Sequence, residues 1–295
     1  MESYLDPLAA PFAEFEQCTP AAVEKVIQSA ASKSSSLDPN PTTILKEFLL
    51  ELLPFVMRMC NMHHYLRLSQ RRAIVNPPRL KIPGSDASDV KNYQPISNLS
   101  FMSKVFQRLV CQQLLHFLEK HNLLPKCQSA YRRYHSMETA VLKIVCDALS
   151  AAKKGEVTFL GMLDMSAAFD TVNHDILLKR LHMSFGICGA ALSWISSFVR
   201  HRTQTIAVNG KMSDTSLVTC GVLQASVLGP ILFMLYTVDV AHIVEMHGIN
   251  FHSYADDSEL YLLAKADEIA LTLPRVILVL LIAFMLWTDG CHRIV

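Results

Sequence analysis

Apolar residues recur at helical spacing through the first half of the chain and at strand-like spacing in short runs beyond it. Between Ser103 and Asn122, Val105, Phe106, Leu109, Val110, Leu114, Phe117 and Leu118 share one helix face. The pattern predicts a long amphipathic helix ending ahead of Pro125. A second periodic stretch, Ser136 to Lys154, is expected to bury Val141, Ile144, Val145, Ala148 and Leu149, with two lysines and Gly155 at its C-terminal end. Nearer the N-terminus, Thr19-Pro20 reads as an N-cap followed by proline in the first turn. It opens the helix "AAVEKVIQSAASK", which stops in the turn "SSSLDPNP". Thr42 to His63 is expected to be helical and kinked at Pro54. From Arg67 to Asn92 the pattern breaks into a basic, Pro/Gly-rich loop with a short strand at "AIV".

After Gly155 the periodicity shortens. "VTFLGML" fits a buried strand that delivers Asp164 at its C-terminal end. A helix, "HDILLKRLHMSF", follows. In "TQTIAVNGKMSDTSLVTC" the pair Asn209-Gly210 marks a hairpin reversal. "GVLQASVLGPILFMLYTVDV" passes from loop to apolar helix, with Pro230 in its first turn. Phe251 to Ala255 and Glu259 to Leu262 read as strands joined by a tight turn at Asp256-Asp257-Ser258.

Composition constrains partners only weakly. The chain has 295 residues, 51% of them hydrophobic, a mean hydropathy of +0.26 and a formal net charge of +1, so total charge does not announce a nucleic-acid partner. Basic residues cluster locally at Arg71-Arg72, Arg79 to Lys81, Arg132-Arg133, Lys153-Lys154 and Arg200 to Arg202. The 8 cysteines show no C-x-x-C spacing and read as small buried hydrophobes in a reducing compartment. An acidic, Pro-broken N-terminus lacks the features of a secretory signal, from which an intracellular location, cytoplasm or nucleus, is expected. The apolar run at 276–287 is shorter than the roughly 20 residues that span a bilayer, so membrane insertion is not expected.

An Asp-Asp pair by itself is ordinary turn chemistry. A third carboxylate at the end of another strand changes its meaning, because converging carboxylates repel each other unless a cation neutralises them. An all-oxygen donor set suits Mg²⁺, and that combination supports phosphoryl transfer.

Five segments, "KNYQPISNLSFMSKVFQRLV", "QSAYRRYHSMETAV", "FLGMLDMSAAFDTVNHDILLKRL", "GVLQASVLGPILFMLY" and "FHSYADDSELYL", resemble in order and spacing the fingers and palm of reverse transcriptases from non-LTR, LINE-type retrotransposons. The resemblance implies an α+β fold of the polymerase right-hand kind, with an antiparallel palm sheet packed on helices and the thumb missing. Its implied divisions are an N-terminal helical extension (1–34), a fingers-like helical region (35–155), a palm (156–263) and a divergent apolar tail (264–295). It implies RNA-directed DNA polymerase activity with two Mg²⁺ ions, an RNA template, a DNA primer and dNTPs. Asp164 matches the first metal-binding aspartate, and Asp256 and Asp257 match the pair of the Y-A-D-D turn. Phe169 matches the aromatic that excludes a 2′-hydroxyl, Gln224 the glutamine of G-V-P-Q-G-S near the incoming nucleotide, and Arg132 the arginine of Q-S-G-F-R.

Several positions depart from the family pattern. Gln94 stands where Y-R-P-I-S has arginine, and Lys81 and Lys91 lie nearby as replacement cations for nucleotide phosphate. Leu223 and Ala225 replace the proline and second glycine of G-V-P-Q-G-S. Ala130, Arg133 and Tyr134 stand where Gly, Pro and Gly are expected. After Leu262 the family pattern is not continued. These departures lead to the expectation of a truncated polymerase remnant with weak or no activity. The alternative is a non-catalytic interaction or membrane-surface protein acting through the apolar tail, a run that a buried or aggregation-prone segment also explains.

Overall fold

The computed structural model describes residues 10–32, 37–38, 40–61, 72–80, 86, 93–163, 168–208, 211–268, 274 and 277. Chain order gives helices α1 (Pro20–Ser29), α2 (Thr42–Glu47) and α3 (Leu49–Asn61), strands β1 (Arg72–Leu80) and β2 (Tyr93–Asn98), then α4 (Phe101–Lys120) and α5 (Met137–Lys153). Strand β3 (Val157–Leu163), a 3₁₀ turn (Ala168–Thr171), α6 (His174–Met183) and α7 (Gly189–Val199) come next. The order closes with β4 (Arg202–Val208), β5 (Lys211–Met212), β6 (Ser216–Val218), α8 (Gly229–Met246), β7 (Asn250–Tyr254) and β8 (Asp257–Ala264). The chain divides into two compact units, one of Met1–Leu123 with Leu178–Gly229, the other of Leu124–Leu177 with Pro230–Val295.

In the first unit, local chemistry sets the helix starts. Thr19 Oγ1 accepts the Ala22 N–H, and Pro20 occupies the first turn of α1 as expected. The cap of α4 is Ser100, whose hydroxyl accepts the Ser103 N–H, so this helix starts at Phe101 rather than at Ser103. The expected single helix from Thr42 is two, broken at Phe48. Phe48 closes α2 by donating to Ile44 O at 3.0 Å, and Pro54 lies inside α3, where it has no N–H to give to the helix. The strand expected at "AIV" runs on to Leu80. Its pairing with β2 is interrupted between Asn76 and Arg79, where Pro77 and Pro78 have no N–H to give to a ladder. The sheet runs β2-β1-β4-β5, with β6 also on β4. It is mixed, since β1 and β4 are parallel and the other pairs antiparallel. Ala207 pairs with Met212 and Val208 with Lys211, so the chain reverses between these strands; Asn209 and Gly210, the expected reversal, lie outside the described residues.

The second unit is built on an antiparallel three-stranded sheet, β3-β8-β7. On one face Leu260 packs with Val240 and Val244 of α8 and with Ile249, flanked by Leu163, Phe251 and Leu262. Helix α8 is, among the described residues, the one long and apolar enough to cross a membrane, and much of its surface is buried inside the protein. Toward α5, the Tyr261 hydroxyl donates to Asp147 Oδ2 at 2.5 Å, and Lys143 Nζ donates to the same oxygen at 2.8 Å. The Ser136–Thr139 capping box starts α5.

Two expectations about burial fail here. Helix α5 buries Ala140, Ile144 and Ala151, whereas Val141, Val145 and Leu149 are exposed. The inward stripe is therefore rotated toward the polar positions 143 and 147 that reach Tyr261. Among the described residues strand β3 pairs only with β8 and is an edge, and its Val157, Leu160 and Met162 are exposed rather than core. Cysteines divide similarly: Cys60 is buried, Cys146 is exposed, and the other described ones are intermediate.

Candidate active site at the β7–β8 hairpin

The Asp-Asp pair lies at the tip of the β7–β8 hairpin, and the two residues have different backbone roles. Tyr254 pairs with Asp257, so Asp257 is the first residue of β8, and the loop contains just Ala255 and Asp256. The turn is thus one residue earlier than Asp256-Asp257-Ser258. A two-residue hairpin needs a positive φ at its first loop position, and Ala255 supplies φ 58°. Asp257 is exposed and Asp256 half-buried.

Strand alternation sets the company each carboxylate keeps. Asp257, Glu259 and Tyr261 fall on one face of β8. Burial pushes the Glu259 carboxyl above its usual range, and the negative charge of Asp257 adds to the rise. Glu259 Oε2 is buried without a hydrogen-bond partner. Near the loop, burial raises the Tyr131 phenol, with the charge of Asp256 as a second cause. Glu259 and Tyr131 escaped the sequence reading; the period-two spacing from Asp257 was the available signal for Glu259.

The third carboxylate, Asp164, lies outside the described residues, as do Lys81 and Lys91. The register nevertheless constrains where β3 ends: Leu163 pairs with Ser258, the neighbour of Asp257. Asp256 and Asp257 offer oxygen donors of the kind a hard divalent cation takes, although among the described residues no three possible metal ligands come together.

The other candidates have definite settings. Phe169, in the 3₁₀ turn, packs its ring on Phe233 of α8 with centroids 4.8 Å apart. Arg132 spends Nη1 on the carbonyls of Pro125, 2.8 Å, and Gln128, 3.2 Å, so this nitrogen braces its own loop. In the first unit, Gln224 is half-buried in a turn before α8. That loop is pinned by Gln107 Oε1, which accepts the Val227 N–H at 2.9 Å, and by Ser226 Oγ, which accepts the Gly229 N–H at 3.0 Å.

The family profile described as reverse transcriptase (RNA-dependent DNA polymerase) matches residues 82–283. The chain belongs to this family. Similar proteins include the probable RNA-directed DNA polymerase from transposon BS of Drosophila melanogaster, 26% identical over 90% of this chain and 29% of that protein. The RNA-directed DNA polymerase from mobile element jockey of Drosophila funebris is 30% identical over 64% of this chain and 20% of that protein. The probable RNA-directed DNA polymerase from transposon X-element of Drosophila melanogaster is 25% identical over 84% and 27%. The chain thus spans less than a third of the length of the curated relatives it matches. The reverse transcriptase domain carries the fingers and palm arrangement of a polymerase as its fold, and the described structure is mixed helix and sheet.

The family departures have distinct structural meanings in this domain. Leu223, in the place of proline, is buried against Leu99 and is accommodated as core. Ala225 and Tyr134, in the places of glycine, both take a left-handed backbone, with φ 64° each. Ala130, also in a glycine place, does not have a positive φ and is buried. Gln94 pairs with Arg79 across β1 and β2.

Proposed function

We propose that this domain performs template-directed addition of deoxynucleotides to a DNA primer on an RNA template, using Asp164, Asp256 and Asp257 to hold Mg²⁺. The observation that carries this reading is the hairpin register. It sets two carboxylates at one sheet end and brings the end of β3 alongside them through the Leu163–Ser258 pair. Mg²⁺ held by these carboxylates would neutralise charge on the phosphates and lower the pKa of the attacking hydroxyl. The protein's part is positional. The strand ladder fixes Asp257, the two-residue loop turns Asp256 toward the tip, and Phe169 is held by Phe233 as a rigid wall against a ribose 2′-hydroxyl. Gln224, Arg132 and Lys81 are the nucleotide-contacting side chains of this reading.

Low activity belongs to the same proposal. The left-handed φ at Ala225 and Tyr134 taxes two loops that glycine would relieve, and Gln94 removes a cation. Primer extension on an RNA template, with and without Mg²⁺, tests the reading against an Asp256→Asn, Asp257→Asn double variant. Metal-dependent extension lost in the variant is the expected result. Extension that survives the double substitution, or its absence from folded protein at high enzyme concentration, would overturn it.

A further inference from the structure

The segment from Cys127 to Arg132 lies against the hairpin, and one of its side chains grips the loop itself. Gln128 is 3% exposed. Its Oε1 accepts the Ala255 N–H at 3.0 Å, and its Nε2 donates to the Ala255 carbonyl at 3.2 Å. The same Oε1 also accepts the Ala130 N–H at 2.9 Å. Backbone pairing sets the reach: Ser129 N–H donates to Ser253 O at 2.9 Å, and Ser253 N–H donates to Cys127 O at 2.8 Å. Ser129 Oγ meets His252 Nε2 at 2.9 Å, which secures the segment along β7.

This arrangement takes hold of both peptide groups of one residue. The N–H of Ala255 belongs to the peptide before it and the carbonyl to the peptide that leads into Asp256. A carboxamide that holds both fixes the rotation about the Ala255 backbone, and so the direction in which Asp256 leaves the turn. Ala255 needs this restraint because alanine at φ 58° is held against a cost of about 1–2 kcal/mol relative to the right-handed region. Only a group with one acceptor and one donor in a planar fork satisfies both sites. A carboxylate would face the Ala255 carbonyl with a second acceptor, and an apolar side chain would leave both groups unpaired.

We propose that Gln128 is a positioning residue for Asp256: its carboxamide clamps Ala255 and holds the metal-binding turn in one conformation. This inference rests on the proposed function only for the metal, and the clamp itself is testable without it. The test uses the full chain as wild type, Gln128→Glu and Gln128→Met, with Gln113→Met as a remote control. Two readouts are taken, amide hydrogen exchange at Ala255 to Asp257 and Mn²⁺ affinity by titration. Melting curves are recorded for every variant, and Gln128→Glu keeps size and polarity where Gln128→Met fails to fold.

Expected are exchange at the hairpin tip at least tenfold faster in the Gln128 variants and Mn²⁺ affinity about tenfold weaker, with a lowered melting temperature but a folded chain at the temperature of the assay. Tip exchange within twofold of wild type in folded Gln128→Glu would overturn the clamp. Wild-type protein that binds no Mn²⁺, or binds it unchanged in Asp256→Asn, would overturn the metal reading instead, while the exchange comparison still decides the clamp. Faster exchange with unaltered, Asp256-dependent Mn²⁺ affinity would overturn the positioning role.

Discussion

Ala225→Gly is expected to stabilise the protein, whereas the same change at Ala130 destabilises it. Both alanines stand where the family has glycine, yet their backbones differ. Ala225 is exposed with φ 64°, a region that costs a non-glycine residue about 1–2 kcal/mol. Glycine removes that cost and gives back about 0.5–1 kcal/mol through the greater freedom of the unfolded chain. The net gain is on the order of 0.5–1 kcal/mol. Ala130 is 2% exposed without a positive φ, so glycine there relieves nothing. It forfeits about 0.8 kcal/mol of buried methyl in addition to the entropic cost, a loss of roughly 1.5 kcal/mol. Tyr134→Gly relieves the same backbone strain but discards the ring that Arg133 covers at 5.1 Å, an exposed contact of about 0.5–1 kcal/mol, so it comes out near neutral. Urea unfolding followed by far-ultraviolet circular dichroism measures all three. The reasoning is refuted if Ala225→Gly lowers the midpoint as much as Ala130→Gly does.

Gly229→Ala brings a new Cβ within 2.6 Å of Ser226 Oγ and 2.8 Å of the Leu223 carbonyl. A loss of about 1–3 kcal/mol is expected, and Ser226→Ala in the same chain should recover little of it because the backbone contact remains. Stability is also expected to fall with pH through His252. Burial, helped by Lys143 and His135 and opposed by Asp147, holds the folded pKa of His252 below its usual value. The unfolded chain then binds the extra proton first, so this contribution is complete above about pH 6.5 and is lost as pH drops below it. His252→Gln should flatten the dependence between pH 7.5 and 5.5 in urea titrations, and an unchanged slope would remove His252 as its source.

Features set by a few neighbouring residues were legible in the sequence. The Thr19 cap with Pro20, the Ser136 start of α5, the reversal between Val208 and Lys211 and the entry of Pro230 into α8 depend on contacts within one turn, so residue type decides them. The family was legible for a related reason: its motifs are short, ordered and chemically demanding. Asp256 and Asp257 could be singled out on the same grounds.

Tertiary structure decided which face of an element meets another. The periodicity of α5 put Ile144 inside correctly but also admitted Val141, Val145 and Leu149, which are exposed, while Ala140 and Ala151 are buried on a helix whose Lys143 and Asp147 meet Tyr261. An apolar run cannot state whether it has one strand neighbour or two, which is why β3 read as core and stands at an edge. Nor does a sequence carry φ: Ala130, Tyr134 and Ala225 are alike as replaced glycines, yet Tyr134 and Ala225 are left-handed and Ala130 is not. The grip of Gln128 on Ala255 spans 127 residues of chain, a distance over which local propensity has no say and only packing can choose the partner.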